Sequence, residues 1–375
     1  MVRSFLPVGQ GAFYCECFEG DNRKINIVYD CGSLTDVKIV EKEIRNYFQK
    51  GEIIDALFIS HLDEDHINGI PFLLKYCKVK KIYFPLITSA NKKIMGIYFR
   101  ASGASEFIAD FLEDPRRAID ALNIDYRPEF IQIDEADTND MEPGTDNLDV
   151  SRVESGTNIS IDIDIKNFSG GAAYSNWLYI PFNFRQKDRI DLLLNKLREI
   201  YGRRITEDEV ESLWRIDALG DRDRIRKAYK KVPGNFNTNS MTLFSGEIYS
   251  QFRQYENSYC PKYCLRYCGY RSPIPSGCLY TGDYDASGKM KWGQLINAYK
   301  KYWKHIGCVQ IPHHGSSHNF NPKFLDMDAF FVISCGYSNK YRHPHAYVIK
   351  SFLLNFIFPH IVTENVGSAA FYVIE

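Results

Sequence analysis

Long apolar runs, an excess of either charge and a disulfide framework are all missing from this chain of 375 residues. A membrane-spanning helix needs about twenty consecutive apolar residues, and no stretch approaches that length, so no membrane span is expected. The opening Met1–Pro7 reaches polar residues too soon for a signal peptide. Ten cysteines are scattered without the spacing of a stapled small domain, and a chain this long does not need staples. Reduced thiols and a cytoplasmic location are therefore expected. The 46 basic and 47 acidic side chains nearly cancel, for a formal net charge of −1. The overall field does not mark a nucleic-acid binder, yet it leaves room for a local basic groove.

What is present is a 45% hydrophobic content, enough for a substantial core. Phe13–Phe18 and Ile25–Asp30, separated by the polar turn Glu19–Asn22, read as a hairpin. Val37, Val40, Ile44 and Phe48 recur at helical steps. Ala56–Ser60 is a short buried-strand run ending in a polar loop; a helix around Ile70–Leu74 and a strand over Val79–Phe84 follow. This is the layered α/β signature. Strand signals return at Ser240–Phe244, Cys278–Thr281, Cys308–Ile311, Ala329–Ile333 and Ala369–Ile374. From about Asn91 to Gly234 the pattern weakens. It holds an acidic stretch (Asp134 to Asp146), punctuation at Ser169-Gly170-Gly171, and a charged helical region from Gln186 to Lys231. The expectation is a core in residues 1–90 and 235–375, with 91–234 as an insertion elaborating it.

The sharpest local signal is Ser60-His61-Leu62-Asp63-Glu64-Asp65-His66. Two imidazoles and two carboxylates follow a buried strand and precede a helix, so a tight loop there can aim alternate side chains at two neighbouring cations. Helix capping accounts for one aspartate at such a place. It does not account for H-x-D-x-D-H.

That loop resembles the H-x-H-x-D-H hallmark of the metallo-β-lactamase superfamily, in the variant of the hydrolase domain of ComEC/Rec2-type DNA-uptake proteins. Val8-Gly9-Gln10-Gly11 with Val28-Tyr29-Asp30-Cys31-Gly32 is similar to that family's opening, and Asn239–Leu243 to its N-S strand. Thr281-Gly282-Asp283 resembles its T-G-D, Pro312-His313-His314-Gly315-Ser316 its P-H-H-G-S, and His343-Pro344-His345 its H-P loop. The similarity covers about residues 4–85 and 237–375. It implies an αββα four-layer sandwich with a long, largely helical insertion, and a hydrolase with two divalent ions, zinc first.

By this resemblance His61 and Asp63 hold one ion, Asp65 and His66 the other, Asp283 bridges them, and His313 completes the second sphere. Asp65 also counts among the catalytic residues, and loss of either Asp65 or Asp283 is expected to abolish hydrolysis. His314 and His343 would bind a substrate anion or protonate a leaving group, with His345 a weaker candidate. One departure stands out: no histidine lies between His66 and His305, where many superfamily members carry another ligand. The first ion is left short of nitrogen, with Asn237 or Asn239 as neighbours to consider, and an oxygen-rich sphere brings manganese into competition with zinc.

Cys260, Cys264 and Cys268 recur every fourth residue, which fits buried thiols better than a zinc knuckle, whose close pair is C-x-x-C. The basic segments Arg222–Lys231 and Lys289–Lys304 fit solvated amphipathic helices better than strand-binding grooves, although the second carries Trp292, Tyr299, Tyr302 and Trp303. Phosphodiester hydrolysis on DNA, RNA or a nucleotide is the leading expectation. Alternatives are an ester, lactone, thioester or amide hydrolase at the same centre, and a metal-binding sensor whose insertion docks a protein partner. A phosphate substrate asks for basic groups facing the site; an acyl substrate asks for an apolar pocket.

Overall fold

The computed structural model of the chain describes residues 1–20, 23–87, 89–102, 105–136, 151–161, 176–185, 188–232, 239–248, 253–257 and 274–374. Cys260, Cys264, Cys268, Asn237, Ser169-Gly170-Gly171 and most of the acidic stretch lie outside these residues. Among the described residues, no helix is long and apolar enough to cross a membrane.

Two sheets form the centre. The larger runs Ile274–Pro275, Arg253–Asn257, Ala370–Ile374, Val2–Phe5, Gly11–Glu19, Lys24–Ser33, Ala56–Phe58, Lys81–Pro85, Glu129–Ile133, Ser151–Val153. The smaller runs Leu178–Arg185, Asn239–Gly246, Gly277–Tyr280, Ile306–Gln310, Phe330–Ser334, His360–Val362. Alternation sorts each strand's side chains. Along Lys24–Ser33, Ile25, Ile27 and Tyr29 enter the core between the sheets, where they join Met241, Leu243 and Tyr280. Val28 and Cys31 face outward and pack with Val40, Ile44 and Leu73 of two covering helices. A third cluster, with Trp292, Leu295, Tyr299 and Phe352, covers the other face. The order is helix, sheet, sheet, helix: the metallo-β-lactamase αββα arrangement.

The helix Val37–Tyr47 shows the local logic. Asp36 caps it by accepting from Lys38 N, and Val40 and Ile44 are fully buried. Each such side chain is worth about 1.5–3 kcal/mol of transfer free energy. Between the sheets, Arg3 Nε donates to Glu16 Oε1 at 2.8 Å, and Tyr280, Tyr179 and Ser245 hydroxyls donate to the same carboxylate. A charge pair this deep is tolerated because its hydrogen-bonding capacity is met.

The middle segment is woven into both sheets. Glu129–Ile133 and Ser151–Val153 extend the larger sheet, and Leu178–Arg185 pairs with Asn239–Gly246 in the smaller. Its charged region is three helices, Asp188–Tyr201, Glu207–Ile216 and Asp221–Lys230, separated at Gly202 and Gly220, both with positive φ. Leu193, Val210 and Ile225 join the outer core of Ile44 and Leu73. The three arginines of the third helix are paired: Arg222 with Asp217, Arg224 with Asp221, Arg226 with Asp223. In the Lys289–Lys304 segment Trp292 and Tyr299 are buried, as an amphipathic helix with an aromatic inner face requires.

Candidate metal centre

The strand Ala56–Phe58 delivers Ser60 and His61 into a loop, and Asp63 stands at the N-cap of the short helix Glu64–Ile67 without capping it through its side chain. His61, Asp63, Asp65 and His66 are all buried. The loop lies so close to the strand Lys24–Ser33 that a Cβ on Gly32 would come within 2.7 Å of the backbone at Glu64, Asp65 and His66. Only glycine permits that approach.

Asp30 is placed by a β-bulge. Phe13 pairs with Cys31 and Tyr14 with Tyr29, which leaves Asp30 as the extra residue, at φ 55°. The bulge turns its carboxylate toward the loop. Oδ1 accepts from Ser60 N, and Oδ2 accepts from Ser60 Oγ and lies 2.7 Å from His66 Nδ1. In the sequence Asp30 is legible only as part of a motif; its role as the orienter of His66 is not.

From the smaller sheet, Thr281-Gly282 turns Asp283 inward. Gln310 Oε1 accepts from the backbone N–H groups of both Thr281 and Gly282 and fixes the turn. His313, His314 and Gly315 follow the next strand with φ of 49°, 55° and 78°. Two consecutive non-glycine residues in the left-handed region cost about 1–3 kcal/mol each, and strain of that kind gathers at functional sites.

Four imidazoles share one orientation rule. His66 Nδ1 faces the Asp30 carboxylate, His314 Nδ1 the Ser334 carbonyl at 2.8 Å, and His313 Nδ1 the Asn319 amide oxygen at 3.0 Å. His61 Nδ1 lies 2.8 Å from Ser60 Oγ, whose own proton goes to Asp30. Each partner accepts, so each Nδ1 carries the proton and each Nε2 turns its lone pair inward. That is the arrangement of metal-binding histidines.

The donor atoms converge. His61 Nε2 lies 3.7 Å from Asp63 Oδ2 and 3.6 Å from Asp283 Oδ2; His313 Nε2 lies 3.5 Å from that same Asp283 oxygen. Asp283 Oδ1 faces His66 Nε2 at 3.3 Å, and Asp65 Oδ2 faces His314 Nε2 at 3.1 Å. Bonds of about 2.0–2.1 Å to a tetrahedral ion put its ligands about 3.3 Å apart. Among the described residues, three sets could hold an ion: His61, His66 and Asp283; Asp65, His66 and His314; His61, Asp63 and Asp65. None of the three includes His313, which approaches through Asp283. The resemblance assigns His313 to the second ion; the distances pair His314, not His313, with Asp65.

The electrostatics also ask for cations. Burial pulls the His61 imidazole down to about 3, with His66 beside it adding to the effect. Burial opposes charge on His66 as well, but Asp30, Asp283 and Asp65 reverse that and raise it. Asp283, against burial, is held well below the usual carboxylate range by His313, His61 and His66. His61 Nε2, His66 Nε2 and both Asp283 oxygens are buried without a hydrogen bond. Buried carboxylates with only imidazoles for company are a costly arrangement unless cations complete it. The donor set, its spacing and these unsatisfied atoms fit divalent ions. His343 stands at the edge, its ring 5.5 Å from that of His313, and burial with its histidine neighbours lowers it to about 4. His345 is turned away to a structural role, in which its Nδ1 caps the helix Ala346–Leu354 by accepting from Tyr347 N.

The chain therefore combines the αββα arrangement with a buried cluster of candidate metal ligands. Residues 17–149 match the model of the family described as Metallo-beta-lactamase superfamily, a class of metal-dependent hydrolases. Over 70 residues the chain is 33% identical to Ribonuclease J of Mycoplasma genitalium, a match spanning 17% of this chain and 12% of that protein's length. The crystal structure of unliganded yeast PDE1 is similar with a TM-score of 0.43 and 9% identity, covering 99% of each chain.

Proposed function

We propose that this protein is a two-ion phosphodiester hydrolase acting on nucleic acid or nucleotide substrates. The observation that carries the reading is the convergence of inward-facing Nε2 atoms and carboxylates around Asp283, whose two oxygens face opposite halves of the cluster. His61, Asp63 and His313 would hold one ion and Asp65, His66 and His314 the other, with Asp283 shared. His313 thereby supplies the nitrogen that no residue between His66 and His305 can. Two imidazoles per ion restore the balance toward zinc, with manganese the competitor.

Bound divalent ions at such a centre supply charge neutralisation and a water activated for attack near neutral pH. The chain's own part is to hold the ligands in place: Asp30, Asn319 and the Ser334 carbonyl lock three imidazoles, and Gln310 locks the turn before Asp283. His343, kept neutral by its surroundings, is positioned to meet a substrate oxygen. The phosphate preference is supported by Lys340 and Arg342 on the loop that carries His343, and by the ribonuclease name of the partial relative.

The test is hydrolysis of single-stranded DNA, duplex DNA, RNA and bis-p-nitrophenyl phosphate with zinc or manganese. Cleavage of the diesters, absent in Asp283→Ala, is expected. Hydrolysis of ester, lactone or thioester substrates with no diester cleavage would replace this reading by the acyl one.

A further inference from the structure

In the Lys289–Lys304 segment Trp292 and Tyr299 are buried, and Tyr302 and Trp303 are half-buried against the same core. The loop from Ser334 to His345 does the opposite. Tyr337 is 84% exposed and Tyr341 43% exposed, and both are close in sequence to the exposed Lys340 and Arg342. The loop is tied directly to the candidate centre. His314 Nδ1 donates to the Ser334 carbonyl, Gly336 N donates to Gln10 Oε1, and Asn339 Oδ1 accepts from His343 N.

Rings line up along it. His343 stacks near His314 with centroids 6.3 Å apart and planes at 23°. Tyr341 stacks on His343 at 5.8 Å and 23°, and Lys340 Nζ lies 5.0 Å from the Tyr341 ring. A file of flat rings thus runs outward from a candidate metal ligand to a solvent-exposed tyrosine with a cation above it. Tyr337 adds a second exposed ring at the start of the loop.

We propose that Tyr337 and Tyr341, with Lys340 and Arg342, form a stacking platform for unpaired bases of a single-stranded nucleic acid whose backbone enters the centre. Stacking on tyrosine and contact of backbone phosphate with lysine or arginine is the common chemistry of single-strand binding. A paired base has both faces occupied, so duplex gains little from this surface. The proposal deepens the phosphodiester reading and rests on it for the bond that is cut, but not for binding itself.

The experiment is fluorescence anisotropy with the full-length, metal-loaded protein and a labelled, hydrolysis-resistant phosphorothioate oligonucleotide. The same backbone without bases serves as the comparison. Tyr337→Ala/Tyr341→Ala is expected to weaken binding of the base-bearing strand about tenfold or more. Affinity for the abasic strand should change less than twofold, and Tyr341→Phe should bind like the wild type. If the double variant does not fold, Tyr337→Ala alone, at the most exposed position, gives the same comparison. Equal loss on both strands, or no loss on either, overturns the platform. Oligonucleotide binding that depends on the tyrosines, without cleavage of any diester, would keep the platform and overturn the hydrolase reading. Diester cleavage without tyrosine-dependent binding would do the reverse.

Discussion

Replacing Asp30 by asparagine removes one charge and almost no volume, and the structure specifies what that does. The carbonyl oxygen of the new side chain must take the Oδ1 position, because Ser60 N donates there at 2.7 Å in a buried site. The amide nitrogen then occupies the Oδ2 position, opposite His66 Nδ1. A donor facing Nδ1 moves the imidazole proton to Nε2, where it points at the ion. His66 would have to bind in the wrong tautomer or break the contact. Losing such an orienting partner costs about 10–100-fold in metal affinity or activity, or about 1.4–2.7 kcal/mol. The assay is competition for zinc against a chromogenic chelator, with circular dichroism to show an intact fold. One of the two ions should weaken by that factor while the other changes less. Wild-type affinity for both ions in a folded Asp30→Asn variant would refute the argument that Asp30 sets the tautomer of His66.

Asp65→Ala and Asp283→Ala should each abolish diester hydrolysis and leave the far-ultraviolet dichroism unchanged; full activity in either would remove that residue from the site. Gly32→Ala, whose new Cβ would meet the Glu64–His66 backbone at 2.7 Å, should cost about 1–3 kcal/mol on urea unfolding; a neutral result would contradict the close approach. Arg3→Met strands the Glu16 carboxylate between the sheets and should cost about 3–5 kcal/mol; an unchanged denaturation midpoint would show that the pair contributes nothing. Removing metal with a chelator should lower the melting temperature, since ions bound by the folded chain alone stabilise it, and re-addition of zinc should restore it.

The hairpin Gly11–Glu19/Lys24–Ser33 and the five later strands were legible because alternation and turn residues coincide there. The ligand loop was legible because histidine and aspartate at such density after a buried strand have few other uses. The strand Val2–Phe5 was not, because its central Arg3 reads as surface until Glu16 is placed beside it. Leu178–Arg185 was hidden in the weakly patterned middle, and its pairing with Asn239–Gly246 is long-range. Asp30 owes its role to a bulge, and a bulge shows only in the register of two strands. The distinction between His313 and His314 is set by two left-handed backbone angles, which residue order does not encode. Apart from those two angles, the decisive quantity was a contact between residues on different strands.

The most direct test of the two-ion reading is elemental analysis of the purified protein, paired with diester hydrolysis, for the wild type and Asp283→Ala. Near two equivalents of zinc or manganese in the wild type are expected, with fewer in the variant and cleavage lost alongside. A wild-type protein that takes up no divalent ion under any condition, or a variant that keeps both ions and full cleavage, would contradict the reading.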